Sequence, residues 1–118
     1  MMLPREARLP GSAVRRVFAE GTRWHGEGVV LVWRPGGGRR GPRWAVVAAR
    51  QLRTKPLRHR AKRRVRHALR EHWPRSAGWD GVWIARPKAL VLSYRQLRDE
   101  VGKLVEMVEA ILGDEGER

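Results

Sequence analysis

The chain has 118 residues, a formal net charge of +14, a pI near 11.8 and no cysteine. That length suits one domain with a real apolar core. The absence of thiols excludes disulfides, thiolate metal sites and a cysteine nucleophile. The opening residues Met1-Met-Leu-Pro-Arg-Glu-Ala-Arg8 lack the apolar core of a signal peptide. No apolar run approaches the roughly 20 residues of a membrane helix, so the expected setting is the cytoplasm, without a membrane partner.

Residues 1–11 read as a flexible arm preceding a single domain, and 113–118 as an acidic tail. Ser12 is placed to cap a short helix through about Glu20, with Val14, Val17 and Phe18 on one side at i, i+3, i+4 spacing and Gly21 as the stop. Trp24–Trp33 reads as one strand, and Pro35–Pro42 as a glycine-rich flexible loop or hairpin tip. Trp44–Ala49 is a small-apolar run, as expected of a strand covered on both faces.

Thr54 and Pro56 together mark the start of a helix that runs to about His72. At 100° per residue, Leu57, Ala61, Val65, Ala68 and Leu69 share a narrow arc, and cations fill the rest of the circumference. Gly78–Ala85 is a further buried strand, stopped by Arg86-Pro87. Ser93 and Gln96 form a capping-box pattern ahead of a last helix whose apolar face is Leu97, Val101, Leu104, Val105, Val108, Ile111 and Leu112. Strand 44–49, helix 56–72 and strand 79–85 make a βαβ crossover. The helices are expected on one face of a small sheet, with the other face partly open as a trough for a ligand.

Between Arg50 and Arg70 lie ten Lys or Arg residues and no carboxylate. They are Arg50, Arg53, Lys55, Arg58, Arg60, Lys62, Arg63, Arg64, Arg66 and Arg70. Solvated helices normally intersperse acids for i, i+4 pairing, and this run does not. Its counter-charge is expected from a polyanion, since cations gain affinity by displacing ions condensed on phosphates. Seven of the twelve carboxylates fall in Asp99–Glu117, so the charge is segregated along the chain. Self-repulsion at this charge favours a monomer in the absence of RNA.

Nothing in the pattern suggests an active site. His67 and His72 are five residues apart, poor spacing for one metal on a helix face. His25, His59, His67 and His72 all lie among cations, which suits surface or RNA contact better than proton or metal chemistry. Six Trp invite base stacking. Trp73, Trp79 and Trp83 are better placed for a core, while Trp33 and Trp44, flanking the glycine loop, are the two expected to be exposed. Phe18 suits core and cleft wall equally.

The run Arg58-His-Arg-Ala-Lys-Arg-Arg-Val-Arg-His-Ala-Leu-Arg-Glu71 resembles the Arg-Asn-Arg signature helix of the bacterial ribonuclease P protein subunit. Arg8-Leu with Val17–Gly21, Arg43–Arg50, and Gly78–Pro87 followed by Leu92-Ser-Tyr94 resemble other segments of that family in the same order. The resemblance spans about residues 8–112. It implies an α+β fold: a two-layer α/β sandwich with a small mixed sheet, three helices and a left-handed βαβ crossover, of the kind also found in a ribosomal protein domain. It further implies an endoribonuclease whose catalysis belongs to an RNA subunit. That RNA would use Mg²⁺ to remove the 5′ leader of precursor tRNA, and the protein itself would bind no cofactor.

On this resemblance Arg58, His59, Arg60, Lys62, Arg63, Arg64 and Arg66, with Arg50, Arg53, Lys55 and Arg70 around them, would contact the catalytic RNA. Val14, Phe18, Val32 and Val47 would line the leader cleft. The chain departs from the family pattern at His59 (Asn in the signature), at Arg50-Gln51 (Lys-Lys) and at Arg53-Thr54 (Gly-Asn). Val14 and Val32 stand where relatives often carry aromatics, which shifts any stacking toward Trp33 or Trp44. The alternative reading is a basic module that binds ribosomal or other structured RNA without a role in tRNA processing; a stand-alone nuclease, lacking metal ligands, comes third.

Overall fold

Four extended segments, β1 (Thr22–His25), β2 (Val29–Pro35), β3 (Arg43–Ala48) and β4 (Trp79–Ala85), build one mixed sheet in the order β1-β2-β4-β3. The computed structural model describes residues 8–36, 41–73 and 78–116. β1–β2 and β2–β4 are antiparallel and β3–β4 is parallel. Three helices complete the fold: α1 (Gly11–Glu20), α2 (Lys55–Arg70) and α3 (Tyr94–Gly116), with a 3-10 turn at Pro87–Leu90. β3, α2 and β4 are the expected crossover unit.

The register sorts the strand residues into two faces. On one face Val29, Leu31, Trp33, Trp44, Trp79, Trp83 and Ala85 pack with α2 and α3 into the main core. Gly81 is flanked in register by Trp33 on β2 and Trp44 on β3. A Cβ there would lie 2.7 Å from the Trp79 ring, so glycine leaves the gap that this indole covers. All six Trp form one connected set of ring contacts, with centroid separations from 5.3 Å (Trp24–Trp33) to 6.3 Å (Trp33–Trp79). Trp33 and Trp44 are therefore buried, against the expectation that the neighbouring glycines would expose them.

The second face carries three cross-strand rows. The first is Arg34–Asp80–Arg43, the second Val32–Val82–Ala45, and the third Val30–Ile84–Val47, which His25 extends onto β1. α1 covers the middle row through Val14 and Val17, joined by Leu9. The helices thus do not share one face: α2 and α3 lie on one side and the short α1 on the other, where it leaves the third row only partly covered, Val30 buried and Ile84 and Val47 half-buried.

Several local expectations are corrected. The span Trp24–Trp33 is a hairpin rather than one strand, turning at 26–28. The glycine loop is not a hairpin tip, because β4 separates β2 from β3; its residues 37–40 lie outside the described residues. β3 is an edge strand and, apart from buried Trp44, half-buried, since it has a strand neighbour on one side alone. Ser12 makes no cap; Pro10 holds the cap position, and its carbonyl accepts from Ala13 and Val14. The arm ends sooner than expected, since Arg8 bridges Trp44 and Leu9 is buried. At the other end α3 continues into the anticipated acidic tail, through Gly116.

Asp80 is the buried charged residue among those described, 4% exposed, and the Arg43 guanidinium meets both its oxygens at 3.2 Å. Removing one partner of such a pair costs more than the pair itself contributes, because the buried charge loses part of its compensation. Arg43→Ala should therefore cost about 2 kcal/mol, discounted for the partial exposure of Arg43. That corresponds to a Tm lower by roughly 6–10 °C. Urea unfolding of the two proteins checks this.

Candidate nucleic-acid interface

α2 begins where its sequence directs. Thr54 caps it, its side-chain oxygen accepting from Leu57 N at 3.4 Å, and Pro56 occupies the first turn. The side chains of Ala61, Val65, Ala68 and Leu69 are buried against the sheet. Leu57, at the exposed first turn, stands half out. The rest of the helix is cationic: Lys55, His59, Arg60, Arg63 and Arg70 are exposed, and Lys62 and Arg66 half-buried. Among the described residues no carboxylate pairs with Arg50, Arg53, Lys55, Arg60, Lys62, Arg63 or Arg66.

Two of the predicted contact residues are held by the protein's own backbone. Arg58 donates from Nη1 to the Leu52 carbonyl at 3.1 Å. Arg64 donates from Nη1 to the Ala89 carbonyl and from Nη2 to the Leu92 carbonyl, the latter at 2.7 Å. Its guanidinium thereby ties α2 to the turn that leads into α3, where the Ser93–Gln96 box forms reciprocally at 2.9 and 3.1 Å. Arg53, at the family's glycine position, is unstrained, because no described non-glycine residue has a positive φ.

The uncovered part of the second sheet face is a trough of about 530 Å³. Val30, Ile84 and Val47 form its floor, and Phe18 of α1, 39% exposed, forms a wall. Arg23 places its guanidinium 5.9 Å from the Phe18 ring centroid, within cation–π range. His25, Ala48, Ala49, Arg50, Gln51 and Arg86 complete the lining, and no carboxylate contributes to it. Arg50 belongs both to this trough and to the loop that opens α2, so trough and cationic helix form one continuous positive strip.

Of the four residues expected in the cleft, Phe18 and Val47 line the trough. Val32 is buried beneath α1, and Val14 is half-buried there with it. With Trp33 and Trp44 in the opposite core, Phe18 supplies the aromatic surface of the trough. Sequence reasoning did not place Val30, Ile84, Arg23, His25, Gln51 or Arg86 in the cleft. For Val30, Ile84 and His25 the signal is the cross-strand row, which needs the strand order before it can be read.

Beyond the C-terminal end of α2, Tyr94 donates its phenol proton to the Glu71 carboxylate, beside His67 and Arg70. His72 Nε2 lies 3.1 Å from the Arg98 carbonyl, against α3. Among the described residues no cluster of three His or acidic side chains could hold a metal ion.

The sequence profile of the ribonuclease P family matches residues 3–109. The ribonuclease P protein component of Roseiflexus castenholzii is 34% identical over 101 residues, covering 84% of this chain and 82% of the relative. That of Symbiobacterium thermophilum is 43% identical over 65 residues, covering 54% of this chain and 56% of the relative. Among solved structures, the RNase P protein of Thermotoga maritima superposes with a TM-score of 0.68 at 23% identity, over 82% of this chain and 93% of that one. The Staphylococcus aureus RNase P protein gives 0.72 at 17% identity, over 86% and 94%. Both structures share the α+β fold of this chain.

Desolvation and the Glu71 carboxylate push the Tyr94 phenol up from 10.0 to about 12. A folded-state pKa above the unfolded one contributes stability that is whole below pH 10 and is lost as pH rises toward 12. Tyr94 is the sole tyrosine in the sequence, so an absorbance titration of phenolate reports on it alone. The midpoint should lie near 12, and Glu71→Gln should move it down toward the ordinary tyrosine value.

Proposed function

The chain belongs to the ribonuclease P protein family, and from that premise we propose that it docks on the catalytic RNA through α2 and receives the precursor-tRNA leader in the trough. The observation that carries this reading is the set of Arg50, Arg53, Lys55, Arg60, Lys62, Arg63 and Arg66, on α2 and its leading loop, with which no described carboxylate pairs. A phosphate backbone supplies the missing negative charge, and each contact releases condensed counterions. The trough suits a single strand: its floor is apolar, Phe18 offers one stacking surface, and Arg23, Arg50 and Arg86 reach the backbone. A duplex would conceal the base faces that such a surface takes up.

In this reading the protein's contribution is electrostatic and positional. Catalysis is assigned to the RNA with Mg²⁺, which the RNA holds. By placing positive charge between substrate and catalytic RNA, the protein lowers their mutual repulsion and so the Mg²⁺ required. Leader contacts favour precursor over product, because product has lost the strand that fills the trough. The cytoplasm is the setting where both RNAs are met; no helix among the described residues is long and apolar enough to cross a membrane.

Reconstitution tests the reading directly. Precursor tRNA is incubated at low Mg²⁺ with a bacterial ribonuclease P RNA, with and without the protein. The expected result is cleavage at the mature 5′ end that needs both components. Cleavage by the protein alone would make it a nuclease, and tight binding without rescue would leave a basic RNA-binding module. In the same system Arg60→Ala should flatten the salt dependence of RNA binding by about 0.7–0.9 log units per lost phosphate contact. Arg64→Ala should leave that slope unchanged and lower the Tm, since its guanidinium is engaged by backbone carbonyls. A flattened slope for Arg64→Ala with an unchanged Tm would reverse those roles.

A further inference from the structure

The β1–β2 turn at 26–28 carries a device that lies outside the trough and fixes its mouth. Three successive backbone N–H groups, of Glu27, Gly28 and Val29, donate to the carboxylate of Glu100 on α3 at 2.9–3.2 Å. Successive N–H groups converging in this way form an anion nest, and the anion here is a side chain more than 70 positions along the chain. The turn in turn holds Arg86. Its Nη1 donates to the Gly26 carbonyl at 2.6 Å, and its backbone N–H donates to the Gly28 carbonyl at 2.9 Å. Arg86 lines the trough and also the adjoining hollow formed by Glu27, Gln51, Pro87 and Lys88. His25, at the end of β1, enters the trough immediately before the turn.

We infer that Glu100 is a positioning residue for leader binding: it does not line the trough and its hydrogen bonds go to the turn, yet it sets the turn that aims Arg86 and His25 into the trough. The inference rests on the reading of the trough as the leader site. Two features make the clamp specific. Charge-assisted hydrogen bonds from backbone N–H to carboxylate are stronger than neutral ones, and an amide in place of the carboxylate would turn an N–H donor toward the nest. The turn is also closely fitted to the carboxylate. A Cβ on Gly26 would lie 2.6 Å from Glu100 Oε2, and one on Gly28 would meet Leu92 and Leu97 at 2.9 and 3.0 Å. Only a glycine turn lets the carboxylate approach this closely.

The test uses the reconstituted holoenzyme and a series of precursor tRNAs whose single-stranded 5′ leaders lengthen from none. Glu100→Gln removes the carboxylate while keeping its shape, and Gly26→Ala displaces it from the turn side while keeping the charge. In both variants the gain in affinity with leader length should fall about tenfold, the lower end of the effect of losing one charge-assisted hydrogen bond. Affinity for the catalytic RNA alone, carried by α2, should stay at the wild-type value and show that each variant is folded. A wild-type leader-length gain retained by both variants would overturn the inference, as would an equal loss of affinity for the catalytic RNA, which marks general unfolding. If the wild-type holoenzyme itself showed no leader-length gain, the reading of the trough would fall, and the inference with it.

Discussion

A residue without a side chain organises this fold. Gly81 sits in the middle of the sheet with Trp33 on one side in register and Trp44 on the other, and the Trp79 indole covers the space between them. Large aromatic rings gain the most from burial, and here they supply volume to the sheet side of the core. The helix packed on them can therefore present small residues. Ala61 and Ala68 stand with Val65 and Leu69 as the whole buried stripe of α2. A narrow stripe suffices for anchoring, and the remaining circumference is free to carry charge. The cationic helix thus depends on the aromatic core beneath it.

The same division of labour extends across the sheet. One face holds nearly all the large rings, and the other is built of Val, Ile and Ala beneath a helix only ten residues long. Since α1 is too short to roof three rows, the third stays open. Charged groups edge the opening, and the acids that could neutralise them are committed elsewhere. Asp80 is bound to Arg43, Glu20 to Arg16, Glu100 to the turn, and Glu109 to the Trp79 indole. These four carboxylates hold structure together, while Arg60 and Arg63 of α2 face outward.

What could be read from the sequence was the local part. Thr54 and Pro56 start a helix, and Ser93 with Gln96 starts another, because each cap is made within four residues. The family signature and the strand–helix–strand order were legible for the same reason or by resemblance. The misses all hinge on distant partners. The turn at Gly26-Glu27-Gly28 stands in the sequence just ahead of the apolar run Val29–Trp33, but the α3 carboxylate that satisfies its N–H groups does not. The burial of Trp33 and Trp44 could not be seen without Gly81 between them. Arg64 reads as one more surface cation until the carbonyls of Ala89 and Leu92 arrive beside it. Val30 and Ile84 reach the trough only through a strand order in which β4 lies between β2 and β3.

The sheet is open at both sides, and each border is guarded in its own way. β1 is only four residues long, and β3 is partly screened where the backbone of Leu9 donates to the Trp44 carbonyl. Exposed strand borders are templates on which another chain can zip up. With 14 surplus positive charges, two copies repel each other before those borders can meet. Excess charge thus acts as a colloidal safeguard for an unclosed sheet as well as a means of gripping RNA. Salt, or a polyanion that neutralises the surface without ordering it, weakens that safeguard, so the protein is most soluble in dilute buffer or when fully seated on its RNA.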